Sequence, residues 1–243
     1  MKKDLIKKCL FLAFLIIIIT IVIAIIAKYN VEGEQSLPYS LEKILIVSRV
    51  DTINNEDPNN LWNISLTENN NIFVYIKKDK KTDDTIKEIT LINFKVHDSE
   101  GKNIKVYRPT GDLKGNDLYK YSEQDYLNTN ITYTGSTVDT LKNLEIANTG
   151  GMLGFRVSLE NIGNYISNNH EETIVYDGSL ITKAGLTKKD ISFKISFDLI
   201  ITLNSNVSYK GTITLDLPNE DILTNPESYL EITDFNNVVF KRI

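Results

Sequence analysis

The sequence predicts a mainly β fold: an antiparallel β-sandwich-like extracytoplasmic domain preceded by a single N-terminal transmembrane α-helix. Three observations carry this expectation. One unbroken apolar run lies near the N-terminus, period-two alternation recurs through the rest of the chain, and no helical period competes with it there.

The apolar run, Leu10 to Ala27, reads LFLAFLIIIITIVIAIIA, with Thr20 as its only polar side chain. As a helix, about 18 residues rise roughly 27 Å, close to the hydrocarbon thickness of a bilayer. A helix apolar on every face belongs in a membrane or wholly inside a protein. Lys2, Lys3, Lys7 and Lys8 precede the run, whereas Lys28 is soon followed by Glu32, Glu34 and Glu42. The positive-inside rule then puts the N-terminus in the cytoplasm and the long C-terminal part outside. The expected organisation is a basic cytoplasmic tail at 1–8, a transmembrane helix at 9–28, a linker at 29–39 and an extracytoplasmic β domain at 40–243. If that domain divides in two, the boundary falls near 140, in its least regular part. A cleaved signal peptide is the competing reading, through Ile25-Ile26-Ala27. Its apolar core would be longer than the usual stretch of about 7–15 residues. Cys9 precedes the apolar run, whereas a lipidated cysteine would end it.

Beyond the anchor, Ile44 to Val47 reads as the first strand and residues 51–60 as a polar surface loop. Trp62, Ile64 and Leu66 alternate with polar residues, Glu68-Asn69-Asn70-Asn71 reads as a turn, and Ile72–Ile76 follows, which together signal a hairpin. Ile92, Phe94 and Val96 alternate with Asn93, Lys95 and His97. Asp98-Ser99-Glu100-Gly101 then turns into Ile104–Tyr107. Residues 108–140 are irregular, with a short helix expected near 119–127 and a last strand ending in Val238-Val239-Phe240.

The clearest pattern lies in the C-terminal third. Ile191, Phe193, Ile195, Phe197, Leu199, Ile201 and Leu203 alternate with mostly polar residues, and Val207 to Leu217 repeats the alternation. A two-residue loop would pair 203 with 208 and set apolar against polar positions. A three-residue loop, Asn204-Ser205-Asn206, pairs 203 with 207 and 193 with 217, so that apolar faces apolar throughout. Such a loop needs a residue in the left-handed region, which Asn206 tolerates. Lys194 then lies opposite Asp216 on the polar face.

Composition narrows the function classes. Residues 1–28 hold five of the 27 basic residues and one of the 32 acidic ones, so the remainder carries 22 basic and 31 acidic, a balance of −9. Nucleic-acid binding needs clustered Lys and Arg, so no nucleic-acid partner is expected. Cys9 is the one cysteine of the chain, so no disulfide staples the outer domain and no cysteine-built zinc site is available. Frequent Asn, Ile and Lys with only 5 Pro give a bias similar to that of proteins from AT-rich bacteria.

Catalytic motifs are sparse. His97 and His170 lack the helical spacing of zinc hydrolases, and Ser40-Leu41-Glu42-Lys43 matches Ser-x-x-Lys without the further motifs that give it meaning. The acidic turns Asp98–Gly101 and Asn219-Glu220-Asp221 lack the ligand series of a calcium loop. No catalytic residue, metal ligand or cofactor is therefore assigned. The most distinctive segment is Asn148–Arg156. Gly150, Gly151 and Gly154 could let a ligand approach the backbone, and Arg156 offers an anion-binding fork; the reading that weighs more is structural, a turn or bulge before an inner strand with Arg156 on the outer face.

The expectation is a non-enzymatic module, held by the lipid bilayer through residues 9–28, that binds a protein or glycan at the cell envelope. A structural subunit of a membrane complex is one alternative. A hydrolase or transferase using scattered carboxylates is another, since paired carboxylates need no local motif. The topology has a direct test. Protease added to intact cells, or to protoplasts where a wall blocks access, should digest the domain. Protection until lysis would reverse the orientation.

Overall fold

The computed structural model describes residues 2–79, 83–110, 120–134, 137–138, 141–147 and 150–243. Helix α1, Lys2–Ser36, has 35 residues. Within it Lys7–Ile26 is long and apolar enough to cross a membrane, and none of that stretch is buried against the domain. It is therefore not a core helix. The helix continues to Ser36, through most of the expected linker. Leu37 and Tyr39 are then buried in the domain, so the chain passes from helix to strand with little slack.

Fourteen strands follow among the described residues: β1 Tyr39–Asn54, β2 Trp62–Lys78, β3 Ile86–His97, β4 Asn103–Tyr107, β5 Pro109–Thr110, β6 Lys120–Tyr121 and β7 Ile131–Thr134. The rest are β8 Thr137–Val138, β9 Leu141–Ala147, β10 Gly150–Ser167, β11 Phe193–Leu203, β12 Ser208–Leu217, β13 Glu227–Ile232 and β14 Lys241–Arg242. Short helices α2 (Ser179–Lys183) and α3 (Lys188–Ile191) and a 3₁₀ turn at Glu220–Leu223 interrupt them. The fold is mainly β and its pairings are antiparallel.

The first sheet runs β13-β1-β2-β10-β9-β8, with β4 also paired to β10. The second runs β14-β12-β11-β3-β7. Their apolar faces share one core. Phe155 of the first sheet meets Phe94 and Phe197 of the second, with ring centroids 5.8 and 5.1 Å away; Phe94 and Phe197 are 5.7 Å apart. The Tyr133 hydroxyl on β7 donates to the Gly154 carbonyl on β10 at 2.5 Å.

The C-terminal hairpin has the register that its parity demands. Phe193 pairs with Leu217, and the Leu203 N–H donates to the Val207 carbonyl at 2.9 Å. Asn206 sits at φ 62°, in the left-handed region. Lys194 and Asp216 form an exposed ion pair at 2.9 Å.

Other local expectations also differ from the structure: β1 runs on through 51–54, the first part of the expected surface loop. The sequence 68–71 does not turn: β2 is one strand of 17 residues, and Glu68, Asn69 and Asn70 are buried within it. Pairing with β1 on one side and β10 on the other outweighs the turn preference of the asparagines, because both backbone edges find partners. In β3 a bulge opposite Ser196–Asp198, with Asn93 at φ 55°, shifts the parity. Leu91 rather than Ile92 therefore joins Phe94 in the core. Residues 122–129 form turns rather than a helix, pinned by Asp125, which accepts from the Val106 and Leu127 N–H groups. The closing strand falls on Lys241–Arg242, just after Val238–Phe240.

Phe197 is buried at the junction of the sheets, so Phe197→Ala should cost about 3–5 kcal/mol in chemical denaturation of the full chain in detergent. Lys194→Ala should change stability by less than about 1 kcal/mol, because both members of its ion pair are exposed. Equal effects of the two substitutions would contradict this assignment of faces.

Candidate functional site

The glycines of the segment singled out by sequence lie at the start of β10, beside β2. Gly150 has φ +116°, and a Cβ there would meet the Ile76 carbonyl oxygen at 2.1 Å. Only glycine fits so close a backbone approach. Gly151 pairs with Ile76 on one side and Ile146 on the other. At Gly154 the Phe73 ring lies 3.1 Å from where a Cβ would stand, so the aromatic covers the bare backbone. Asn148 and Thr149 lie outside the described residues.

Arg156 is half-buried on the outward face of the same strand. Its Nε donates to Asn71 Oδ1 at 2.9 Å, and its guanidinium stacks 4.0 Å from the centre of the Tyr121 ring. Burial draws its proton affinity down from the usual arginine value, partly offset by Tyr121. Nearby on this face Glu160 accepts from the Tyr107 hydroxyl and pairs with Lys105 at 2.6 Å. Burial alone would raise the Glu160 carboxyl; the hydrogen bonds from Lys105 and Tyr107 bring it below the ordinary range. The segment thus has internal contacts at Gly150, Gly154 and Arg156, and Arg156 is engaged through Nε and through its ring stack.

A second polar group faces the core, where sequence reading expected a turn. Ser228 on β13, Ser48 on β1 and Asn70 on β2 form one transverse row, all buried. The Ser48 hydroxyl donates to Asn70 Oδ1 at 2.6 Å. Asn219, also buried, donates its N–H to Ser48 Oγ at 3.1 Å and its Nδ2 to the carbonyls of Ile46 and Ser228 at 3.1 and 3.0 Å. Glu68, two pairs further along between Val50 and Leu159, is fully buried, and neither carboxyl oxygen has a hydrogen bond of good geometry. Burial pushes its carboxyl well above the ordinary range, and Asn70 offsets only part of that rise.

The buried Asn219 also lines a cleft of about 800 Å³, which sequence reading missed. Phe193, Leu217 and Leu230 give it an apolar lining; Lys102, Lys188, Lys189 and Lys194 stand around it with Asp98, Asp216 and Asp221. The Lys102 ammonium is fixed by the carbonyls of Asp98, Lys189 and Ser192. The cleft lies along β13, which pairs with β1 and ends the path of the first sheet, and which exposes Tyr229 and Leu230. Its lining residues come from segments far apart in sequence, so no local motif could announce it. Gly150, Gly151, Gly154 and Arg156 are not part of its lining.

No protein-family model, curated protein or solved structure matches this chain.

His97 lies at the end of β3, exposed, with Nε2 3.1 Å from Ser196 Oγ; His170 is exposed in a turn. Ser40 and Lys43 are on β1, with Lys43 paired to Glu231 at 2.8 Å. Among the described residues no three His, Cys, Asp or Glu side chains gather as a metal site.

The buried Glu68 sets a pH dependence of definite sign. Its folded-state proton affinity is raised, so the folded chain keeps a proton that the unfolded chain releases above about pH 4.5. Its contribution to stability is full below that pH and is lost as pH rises toward the folded-state value. Glu68→Met should therefore raise stability at pH 8 by about 1–3 kcal/mol, with the gain shrinking toward pH 4. Denaturant melts across that range check this, and an unchanged pH slope in the variant would refute it.

Proposed function

We propose that this chain is a single-pass membrane protein whose C-terminal part is an extracytoplasmic β-sandwich that binds a protein or glycan at the cell envelope without catalysis. The cleft beside β13 carries the reading. It combines an apolar lining, cationic side chains and the backbone of a sheet-terminal strand, the elements by which extended chains are recognised. The sandwich reading is supported by two antiparallel sheets whose aromatic faces share a core. The envelope location rests on the apolar helix and on the lysines before it.

Distance along β1 suits this role. The strand begins three residues after α1 ends, and the part that borders β13 near the cleft, residues 46–48, comes about eight residues later. At about 3.3 Å per residue that is roughly 25 Å of strand, so the cleft stands clear of the membrane end.

Three carboxylates, Asp98, Asp216 and Asp221, also line the cleft, and this favours the hydrolase or transferase reading as the second choice. Asp216 is already paired with Lys194, and the strongly perturbed acid, Glu68, is not in the cleft lining.

Affinity purification of the full chain from solubilised membranes separates these readings. Leu230→Asp in the cleft should abolish capture of the partner, while Arg156→Ala should leave it intact. The reverse result would move binding to the Gly150–Arg156 strand. Partner loss only after exchange of α1 for an unrelated apolar helix would favour a structural subunit. Breakdown of purified envelope material that Asp98→Asn abolishes would make the protein an enzyme.

A further inference from the structure

The end of the domain beside α1 differs from the rest in its surface chemistry. The backbone of α1 is in contact with β14. There Lys241 and Arg242 pair with Lys210 and Tyr209, and the Ile243 N–H donates to the Ser208 carbonyl at 2.9 Å. The far end of β2 comes to the same place: Lys77 and Lys78 lie opposite Ser40 and Tyr39, where β1 begins. Val239 is 43% exposed and Ile243 62% exposed. An apolar cleft of about 280 Å³ opens here between Leu37, Leu41, Phe235, Val238 and Phe240, with Asp79 as the carboxylate in its lining.

Four basic residues and two exposed aliphatic side chains thus gather at one end of a domain, residues 37–243, that holds 22 basic and 29 acidic residues, a balance of −7. Their position fixes what can meet them. The chain between helix and strand is two residues long, Leu37 is buried, and the Asp79 N–H holds the Pro38 carbonyl at 2.9 Å. Helix α1 runs ten residues past Ile26, about 15 Å of rise, before this junction, so the tie makes this the end of the domain that faces the bilayer, and it meets the surface when α1 is tilted.

We propose that this face rests on the bilayer and binds anionic lipid headgroups. Lys77, Lys78, Lys241 and Arg242 meet the phosphates, and Val239 and Ile243 enter the boundary between headgroups and acyl chains. The inference rests on the reading of α1 as a membrane span. Its consequence is orientation: the acidic remainder is repelled by the same lipids, so the domain stands on one end and presents the β13 cleft outward.

Fluorescence quenching in the full chain tests this. The one natural tryptophan, Trp62, lies at the opposite end of β2, about 50 Å along the strand from Lys77, and serves as the internal reference. Val239→Trp and Ile243→Trp are placed separately, the second at the more exposed of the two positions. The chains are reconstituted into vesicles of phosphatidylcholine, alone or mixed with phosphatidylglycerol, containing lipids with brominated acyl chains. The added tryptophans should be quenched, more strongly in the anionic mixture, while the unsubstituted chain is not. Lys241→Glu with Arg242→Glu should lower the quenched fraction severalfold. Chains that float with the vesicles after an alkaline wash, yet show no quenching at either position, overturn the proposal and leave the anchor standing. Quenching that ignores both lipid charge and the charge reversal overturns the headgroup assignment. Chains that fail to float overturn the anchor reading itself.

Discussion

Three phenylalanine rings, Phe94, Phe155 and Phe197, join the two sheets, and the domain depends on that contact because no disulfide can replace it. Each ring reaches the junction through a different constraint. Phe197 follows from plain alternation along β11. Phe155 stands on β10, where Gly154 beside it accepts the Tyr133 hydroxyl through its carbonyl. Phe94 arrives only because the bulge at Asn93 turns its strand by one position. Phe155 and Phe197 meet edge to face and the other two pairs are tilted, and such contacts add specific attraction to the burial of apolar area.

The first sheet is organised around β2, a strand flanked on both sides along most of its length. That position explains how polar residues survive in its interior. The backbone of Glu68, Asn69 and Asn70 is paired on both sides, and the two amides find side-chain partners: Asn70 accepts from Ser48, and Asn69 accepts from Ser158 and donates to Asp51. Glu68 is the exception, a buried acid whose proton affinity is raised by desolvation. Asn219 extends the network outward, tying the segment after β12 to β1 and β13 through three hydrogen bonds. The wall of the cleft is therefore fixed to the core rather than hung on a loose loop.

The two ends of the domain have different chemistry. Near α1 lie Lys77, Lys78, Lys241, Arg242 and exposed aliphatic side chains; along β13 lies a cleft with mixed charge and an apolar lining. Strands β1 and β2, paired from Tyr39↔Lys78 to Asn54↔Ile64, run from the first of these ends past the second.

Local pattern alone determined the apolar helix, the β class and the 193–217 hairpin, since one-residue slips there would bury polar side chains or expose apolar ones. It left open whether Gly150, Gly154 and Arg156 serve a ligand or the strand itself. Their close neighbours, Ile76, Phe73, Asn71 and Tyr121, come from strands remote in sequence, and those contacts are visible only once β10 is docked. The same reason hid the continuity of β2 through its asparagines, the parity shift at Asn93 and the cleft beside β13. Turn preference is a local energy of a few tenths to about one kilocalorie per mole, and two-sided strand pairing overrides it. Tertiary structure decided every feature whose partners lie on another strand, because the free energy that fixes those features is gained only when the strands meet.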